Sequence, residues 1–178
     1  MKLESQNLTY HQLTESDWPF FKLLHETPDV IQYVCDAQCE EEIRARFESR
    51  LHPWEPTSSH WLTLVIKEKE SGLPVGLTGM LAEWSPYKQT ELGFLLSPNF
   101  QRKGYGFEST KYMIELCFNQ FNFHKIKATV TEGNLPSTNL LRKCGFVHEG
   151  TLRDNFILGG EWKSDQLLGL LKSDILAN

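Results

Sequence analysis

Residues 91–106 read ELGFLLSPNFQRKGYG: an apolar run from Glu91 to Leu96, a Ser97-Pro98-Asn99 turn, and the basic, glycine-rich segment Gln101-Arg102-Lys103-Gly104-Tyr105-Gly106. Beyond it, Phe107, Ile114, Cys117 or Phe118, and Phe121 mark one face, which predicts a helix from about Tyr105 to Asn119. Strand, glycine turn and helix start, in that order, make an anion site. The first N–H groups of a helix have no carbonyl partner, the helix dipole adds positive potential, and glycines let backbone approach a bound group closely. Two nucleotide motifs do not fit. A dinucleotide fingerprint needs a third glycine where Ser109 stands and a preceding βαβ strand, and the Walker pattern GxxxxGK(S/T) is absent.

On the N-terminal side, Trp61 to Ile66 reads as a strand, Glu70-Ser71-Gly72 as a turn and Val75 to Ala82 as its partner. With Glu91 to Leu96 these form an antiparallel meander. Earlier still, Thr14-Glu15-Ser16-Asp17 has the composition of a helix N-cap with an acidic first turn. Trp18, Phe21 and Leu24 or His25 follow at helical spacing until Pro28. A second helix opens at Glu40-Glu41-Glu42, with Ile43, Phe47 and Leu51 along one side. On the C-terminal side come a strand from Ile126 to Thr131, a helix from Ser137 to Cys144 closed by Gly145, and two strands across Gly159-Gly160. Two helices, three strands, helix, strand, helix and two strands argue a mixed α/β layer with helices on both faces. No linker or repeat interrupts the 178 residues, so residues 1–178 are expected to form a single domain.

Charge is distributed unevenly. The net value is −5, with 8 Lys/Arg against 15 Asp/Glu in residues 1–100 and 10 against 8 in residues 101–178. An acidic chain lacks the basic footprint of a general nucleic-acid binder, so no direct nucleic-acid partner is expected. Residues 101–143 nonetheless carry Arg102, Lys103, Lys111, Lys125, Lys127, Arg142 and Lys143 against Glu108, Glu115 and Glu132, a local net of +4 beside the glycine turn. No stretch approaches the roughly 20 apolar residues of a membrane span, and the start lacks a signal-peptide core; a cytoplasmic location without membrane association is expected. Cys35, Cys39, Cys117 and Cys144 form no CxxC pair, and no two histidines stand at i, i+4. The cysteines are therefore read as reduced packing residues, and no metal site is expected. The chain's size is compatible with a monomer or a homodimer.

The motif set resembles the GNAT superfamily of acetyl-CoA-dependent N-acetyltransferases across nearly the whole chain. Gln101, Gly104 and Gly106 match its phosphate motif; Asn134, Ser137, Leu140 and Leu141, then Gly145-Phe146, match its later motif. Within it, the run FHKIKATVTEGNLPSTNLLRKCGFVHEGTLRDNFILGGEW is similar to the RimJ/RimL-type enzymes that acetylate ribosomal-protein N-termini. The RimJ type is nearer, through His124-Lys125-Ile126, Leu140-Leu141-Arg142, Gly145 to Gly150 and Gly160-Glu161-Trp162.

The resemblance implies a mostly antiparallel twisted sheet, with acetyl-CoA in a splay between the strands at 91–96 and 126–131. Pantetheine is expected on the backbone of Phe94 and Leu96, the pyrophosphate on the N–H groups of Arg102, Lys103, Gly104, Tyr105, Gly106 and Phe107, and the thioester carbonyl near donors at Leu95. Asn134 is expected to orient the pantetheine and Ser137 to serve the departing thiolate; as a purely structural role, Ser137 could cap its helix. The tyrosine many members use as general acid is replaced by Leu141, and a RimL-type glutamate by Phe156. The RimJ-like aromatic-x-Asp reads Trp162-Lys163-Ser164-Asp165, displaced by one residue, so no role passes to Asp165.

Glu91 on the central strand is the first choice of general base, with Glu83, Glu149 and Asp154 as substitutes. A peptide α-amine, with a pKa near 8 against about 10.4 for lysine, needs only modest help to become a nucleophile. The expected acceptor is the N-terminus of a ribosomal protein that begins with Ala or Ser, with a polyamine or aminoglycoside as the alternative and a non-catalytic acyl-CoA-binding module as a third. The loops HPWEP and EWSPY suggest Trp54 and Trp84 as walls of the acceptor groove, and the acidic first half suggests a cationic acceptor.

Overall fold

In the computed structural model, which describes residues 3–176, seven strands form one sheet in the order β1-β2-β3-β4-β5-β7-β6. They are β1 (Leu8–Gln12), β2 (Leu62–Glu68), β3 (Pro74–Glu83), β4 (Gln89–Leu96), β5 (Lys125–Thr131), β6 (Val147–Leu158) and β7 (Glu161–Leu171). The helices are α1 (Trp18–Glu26), α2 (Pro28–Ile31), α3 (Glu40–Glu48), α4 (Tyr105–Glu115), α5 (Leu135–Lys143) and α6 (Lys172–Leu176). The meander of β2, β3 and β4 and the final hairpin lie where the sequence puts them. Strand β1 is an addition: its LTYHQ is too short for alternation to stand out, although Leu8 and Tyr10 are both buried.

Period-two alternation in β2 explains the two covered faces. Leu62, Leu64 and Ile66 join one apolar cluster with α4, the following turn and α5, while Val65 joins a second with Phe21, Leu24, Ile43 and Phe47 from α1 and α3. Phe47 stands edge-on to both Phe21 and Trp18, with ring centroids 5.2 Å apart in each pair. Each helix begins as its residues dictate. The Asp17 carboxylate accepts from the backbone N–H and the hydroxyl of Thr14, and the Glu42 carboxylate accepts from the N–H of Cys39. After Glu115 the helix widens into a π-helical turn, Leu116–Gln120, which brings both Cys117 and Phe118 into the core. All four cysteines are free; Cys117 and Cys144 are buried, whereas Cys35 and Cys39 are not.

One feature of the sheet positions everything below. Strands β4 and β5 are its parallel pair, and they stay together only for Gln89↔Lys125, Thr90↔Ile126 and Glu91↔Lys127. Past these pairs each strand follows its other neighbour, β4 keeping to β3 as far as Leu96↔Gly76 and β5 to β7 as far as Thr131↔Asp165. The sheet therefore opens into a gap whose two edges carry backbone groups without a strand partner.

Candidate active site

The glycine turn lies at the far end of β4. A 3-10 turn at Pro98–Phe100 ends the strand, and α4 begins after Gly104, whose φ of 87° is in the left-handed region that glycine occupies without strain. A Cβ at Gly104 would meet nothing within 4 Å, so it is the backbone conformation that selects glycine there. At Gly106 the reason is proximity: a Cβ would stand 3.0 Å from the Leu96 side chain and 3.5 Å from that of Leu140. The first helical bond of α4 runs from Glu108 N–H to the Gly104 carbonyl, which leaves Tyr105, Gly106 and Phe107 ahead of it as free donors. The loop is anchored from both sides. The Tyr105 hydroxyl donates to Glu68, and Glu108 accepts from Ser5 Oγ and Asn7 N at 2.6 Å each. Burial acts to raise the Glu108 pKa, but these donors outweigh it and hold the carboxyl below its usual range. Lys103 and Lys143 stand over the rings of Phe100 and Phe107, 4.8 and 4.7 Å away, and flank the helix start with positive charge.

A cavity of about 400 Å³ fills the β4–β5 gap and passes through the sheet. On the α4–α5 side it is lined by Phe94, Asn134, Ser137 and Leu141; on the α1–α3 side by His25, Arg46, Arg50, Trp61, Thr63, Glu91 and Leu95, with Asp165 and Phe156 from the final hairpin. Tyr33, after α2, closes it further, its carbonyl accepting from Thr131 Oγ1 at 2.7 Å. Side chains from every layer of the fold thus meet in one opening where a strand pair has been given up. An extended ligand can enter from one face and meet a second on the other.

A family model described as an acetyltransferase (GNAT) domain matches residues 7–147. The chain belongs to the GNAT acetyltransferase family. It is 32% identical over 176 residues to an N-acetyltransferase of Bacillus subtilis (strain 168), YnaD, described as uncharacterized, covering 98% of this chain and 99% of that one. To the ribosomal protein uS5 alanine N-acetyltransferase of Escherichia coli (strain K12) it is 30% identical over 83 residues, 47% of this chain and 43% of the other. The solved structure of spermidine N-acetyltransferase from Vibrio cholerae with CoA and spermine shares the fold. Its TM-score is 0.84 at 21% identity, over 97% of this chain and 99% of that chain. This GNAT chain is accordingly an acetyl-CoA-dependent N-acetyltransferase.

The geometry sorts the sequence candidates. Glu91, Ser137, Asn134, Phe94 and Leu95 all line the cavity. Leu96 and the segment Gln101 to Phe107 do not line it; they follow Leu95 along the chain, and Gln101 donates its side-chain amide to the Leu96 carbonyl at 3.2 Å. Asn134 is the cap of α5: its Oδ1 accepts from Ser137 N at 3.3 Å, so the helix starts at Leu135 and the Ser137 hydroxyl has no capping role. Two substitute bases are engaged elsewhere, Glu83 with Lys127 and Glu149 with Lys125, each at 2.6 Å, and neither these nor Asp154 lines the cavity. Asp165, given no role from sequence, is buried in the cavity wall and accepts from Asn155 Nδ2 at 2.8 Å. The tryptophans exchange places. Trp54 stands edge-on to Phe121 and Trp84 to Phe123, both away from the cavity, and Trp61 is the one that lines it. The acidic first half does not make that side of the cavity acidic either, because Arg46 on α3 and Arg50 just past its end line the cavity. Among the described residues no group of three or more His, Cys, Asp or Glu is placed to hold a metal ion, and no helix is long and apolar enough to cross a membrane.

His25 is a buried titratable group on the α1–α3 side of the cavity. Its Nδ1 lies 2.8 Å from the Phe21 carbonyl, which only accepts, so Nδ1 carries the proton and Nε2 the lone pair. Burial pulls its pKa down to about 4, Arg46 and Arg50 adding to the effect against the Phe21 carbonyl, and the ring is neutral at pH 7. In the unfolded chain a histidine titrates near pH 6.5, so between about 6.5 and 4 the unfolded state holds the extra proton and stability rises with pH. The contribution is complete above pH 6.5 and is lost as pH falls toward 4. Urea unfolding at a series of pH values should show this slope in the parent protein and a shallower one in His25→Phe, which keeps a ring and removes the titration.

Proposed function

We propose that the chain transfers the acetyl group of acetyl-CoA to an α-amino group, and that the N-terminus of a ribosomal protein beginning with Ala or Ser is the acceptor of this kind. The observation that carries this reading is the charge of the acceptor side. Arg46 and Arg50 line it with no ion-pair partner among the described residues, opposite Glu91 and Asp165, so the chamber offers no net negative charge to a polyamine carrying several positive charges. An α-amine brings one positive charge, and with a pKa near 8 an appreciable fraction is neutral at pH 7. The partial likeness to the uS5 alanine N-acetyltransferase supports the same choice.

Acetyl-CoA supplies an acyl group already activated as a thioester, and the residues around the gap hold and discharge it. The N–H groups from Arg102 to Phe107 bind the pyrophosphate, helped by the α4 dipole and by Lys103. The open edge of β4 past Glu91 pairs with the pantetheine at Phe94 and Leu96, and donors at Leu95 stabilise the negative oxygen that develops during acyl transfer. Asn134 spends its Oδ1 on the helix cap and keeps its amide N–H groups for a pantetheine carbonyl. On the opposite side Glu91 takes the proton of the ammonium, directly or through one water, and the freed amine forms the new C–N bond as the C–S bond breaks. Ser137 passes a proton to the departing sulfur, in place of the tyrosine that Leu141 replaces, and is reprotonated by the second proton that the nitrogen releases as the amide forms. Asp165, held by the Asn155 side chain, lines the same cavity as a second carboxylate.

Purified protein should be given acetyl-CoA with Ala-, Ser- and Met-starting ribosomal peptides and spermine, and the products read by mass spectrometry. A single acetyl group on the α-amine of an Ala- or Ser-starting peptide is expected; a strong preference for spermine overturns the assignment. Ser137→Ala should keep its stability within about 0.5 kcal/mol, because Asn134 still caps the helix, while turnover falls more than acetyl-CoA affinity. Unchanged turnover removes Ser137 from the chemistry. Gly104→Val puts a β-branched residue at a φ of 87°, at a cost of about 1–2 kcal/mol, and should weaken CoA binding measured by calorimetry. Normal affinity in that variant refutes the loop assignment.

A further inference from the structure

The two arginines that line the acceptor side, Arg46 on α3 and Arg50 just past its end, are differently placed from Arg44 of the same helix. Arg44 on the outer side of α3 meets Glu48 at 2.7 Å and Glu15 at 3.0 Å. Arg46 stands four residues after Glu42, the usual partner on a helix, but that carboxylate is held by the Cys39 N–H at the helix start. Arg50 stands four residues after Arg46 itself. Among the described residues neither guanidinium has a hydrogen bond or an ion pair, and the two face the same cavity. Burial, and secondarily the Arg46 charge, draw the Arg50 pKa down to about 10, the signature of a cation with no anion beside it.

The contacts Arg50 does make leave its donors free. Its guanidinium lies 5.5 Å from the Trp61 ring centroid and 5.8 Å from that of Phe21. Interactions with ring faces do not occupy the in-plane N–H groups that match a carboxylate in a forked pair. Trp61 is itself held against β4, since a Cβ on Gly93 would come within 3.1 Å of the indole. Beside it, Thr63 is buried, lines the cavity, and has a hydroxyl without any hydrogen-bond partner. A buried hydroxyl left unsatisfied is costly, and here it adjoins unpaired guanidinium groups. Glu91 and Asp165 line the same cavity from β4 and β7, so the chamber has carboxylates on one wall and guanidinium groups on another.

We infer that Arg50 and Arg46, with the Thr63 hydroxyl, form a seat for an oxyanion on the acceptor, so that the substrate is an α-amine bearing a carboxylate close by. This rests on the α-amine reading above. The amine meets the carboxylates and the oxyanion meets the guanidinium groups, which fixes the orientation of the acceptor before the acyl group is reached. Two sources offer that chemistry: an acidic side chain within the first residues of a peptide, or a free amino acid.

Steady-state kinetics on matched acceptors distinguish them. One pair is a peptide beginning Ala-Asp and the same peptide beginning Ala-Asn; the other is free alanine and alanine amide. In the pair that contains the true source, the carboxylate member should be favoured at least about tenfold in kcat/KM, mainly through KM. The preference should fall toward one in Arg50→Gln and stay intermediate in Arg50→Lys. Thr63→Val, which removes a hydroxyl that has no partner in the free protein, should retain its fold by circular dichroism and also reduce the preference. Equal rates within both pairs overturn the anion seat and leave the α-amine reading standing. A preference that survives unchanged in Arg50→Gln and Arg46→Gln overturns the assignment to these residues. Acetylation of spermine with no product in either pair overturns the α-amine reading itself.

Discussion

Three residue pairs join β4 to β5, and the rest of the molecule is arranged around the point at which they part. A parallel pair inside a sheet normally continues as long as both strands do, because each lost pairing leaves backbone groups to be satisfied elsewhere. Here β4 stays bound to β3 and β5 to β7, so each half of the sheet remains intact while the edges between them stay open. The two apolar clusters on opposite faces hold these halves in place. What the sheet loses in its own hydrogen bonds it presents as a row of donors and acceptors to an extended ligand. The opening is lined from both faces, by residues of α5 on one side and of α1 and α3 on the other.

The charge of the two mouths differs in kind. At the cofactor mouth, backbone N–H groups and the dipole of α4 provide a diffuse positive potential, reinforced by Lys103 and Lys143, and glycine is required once for its φ and once for close approach. At the acceptor mouth, discrete side chains of both signs face one another. Glu91 and Asp165 lie on the sheet, Arg46 on α3 and Arg50 just past its end, and His25 is kept neutral among them by burial. The GNAT family match accounts for the first mouth. The second mouth is built from this chain's own side chains, and the likeness to a spermidine acetyltransferase structure shows the fold alone.

Much of the architecture was legible from local signals. Alternation in β2 and β3, the Gly159-Gly160 turn and the Thr14 and Glu40 helix starts are rules that act within a few residues, and the elements follow them. The glycine turn ahead of α4 was legible for the same reason, because a helix start with free N–H groups is a local object. Where reading failed, the cause was a competing local rule or a distant partner. Asn134 took the cap that Ser137 might have filled by reaching three residues forward, and β1 is too short for its two buried residues to form a period.

The sequence by itself determined the meander of β2 to β4, the helices α1, α3, α4 and α5, the final hairpin, the glycine turn ahead of α4 and, through its motifs, the family and its acyl donor. Tertiary structure alone decided the acceptor chamber. Arg46, Arg50, Trp61, Thr63, Glu91 and Asp165 come from four separate elements and the loop before β2, and they meet because two strands diverge. Net charge over the first hundred residues pointed to a cationic acceptor, yet most of those acids lie outside the cavity while two arginines line it. Counting charge along a chain weights every residue equally, whereas a binding site feels only the groups that folding places within its reach.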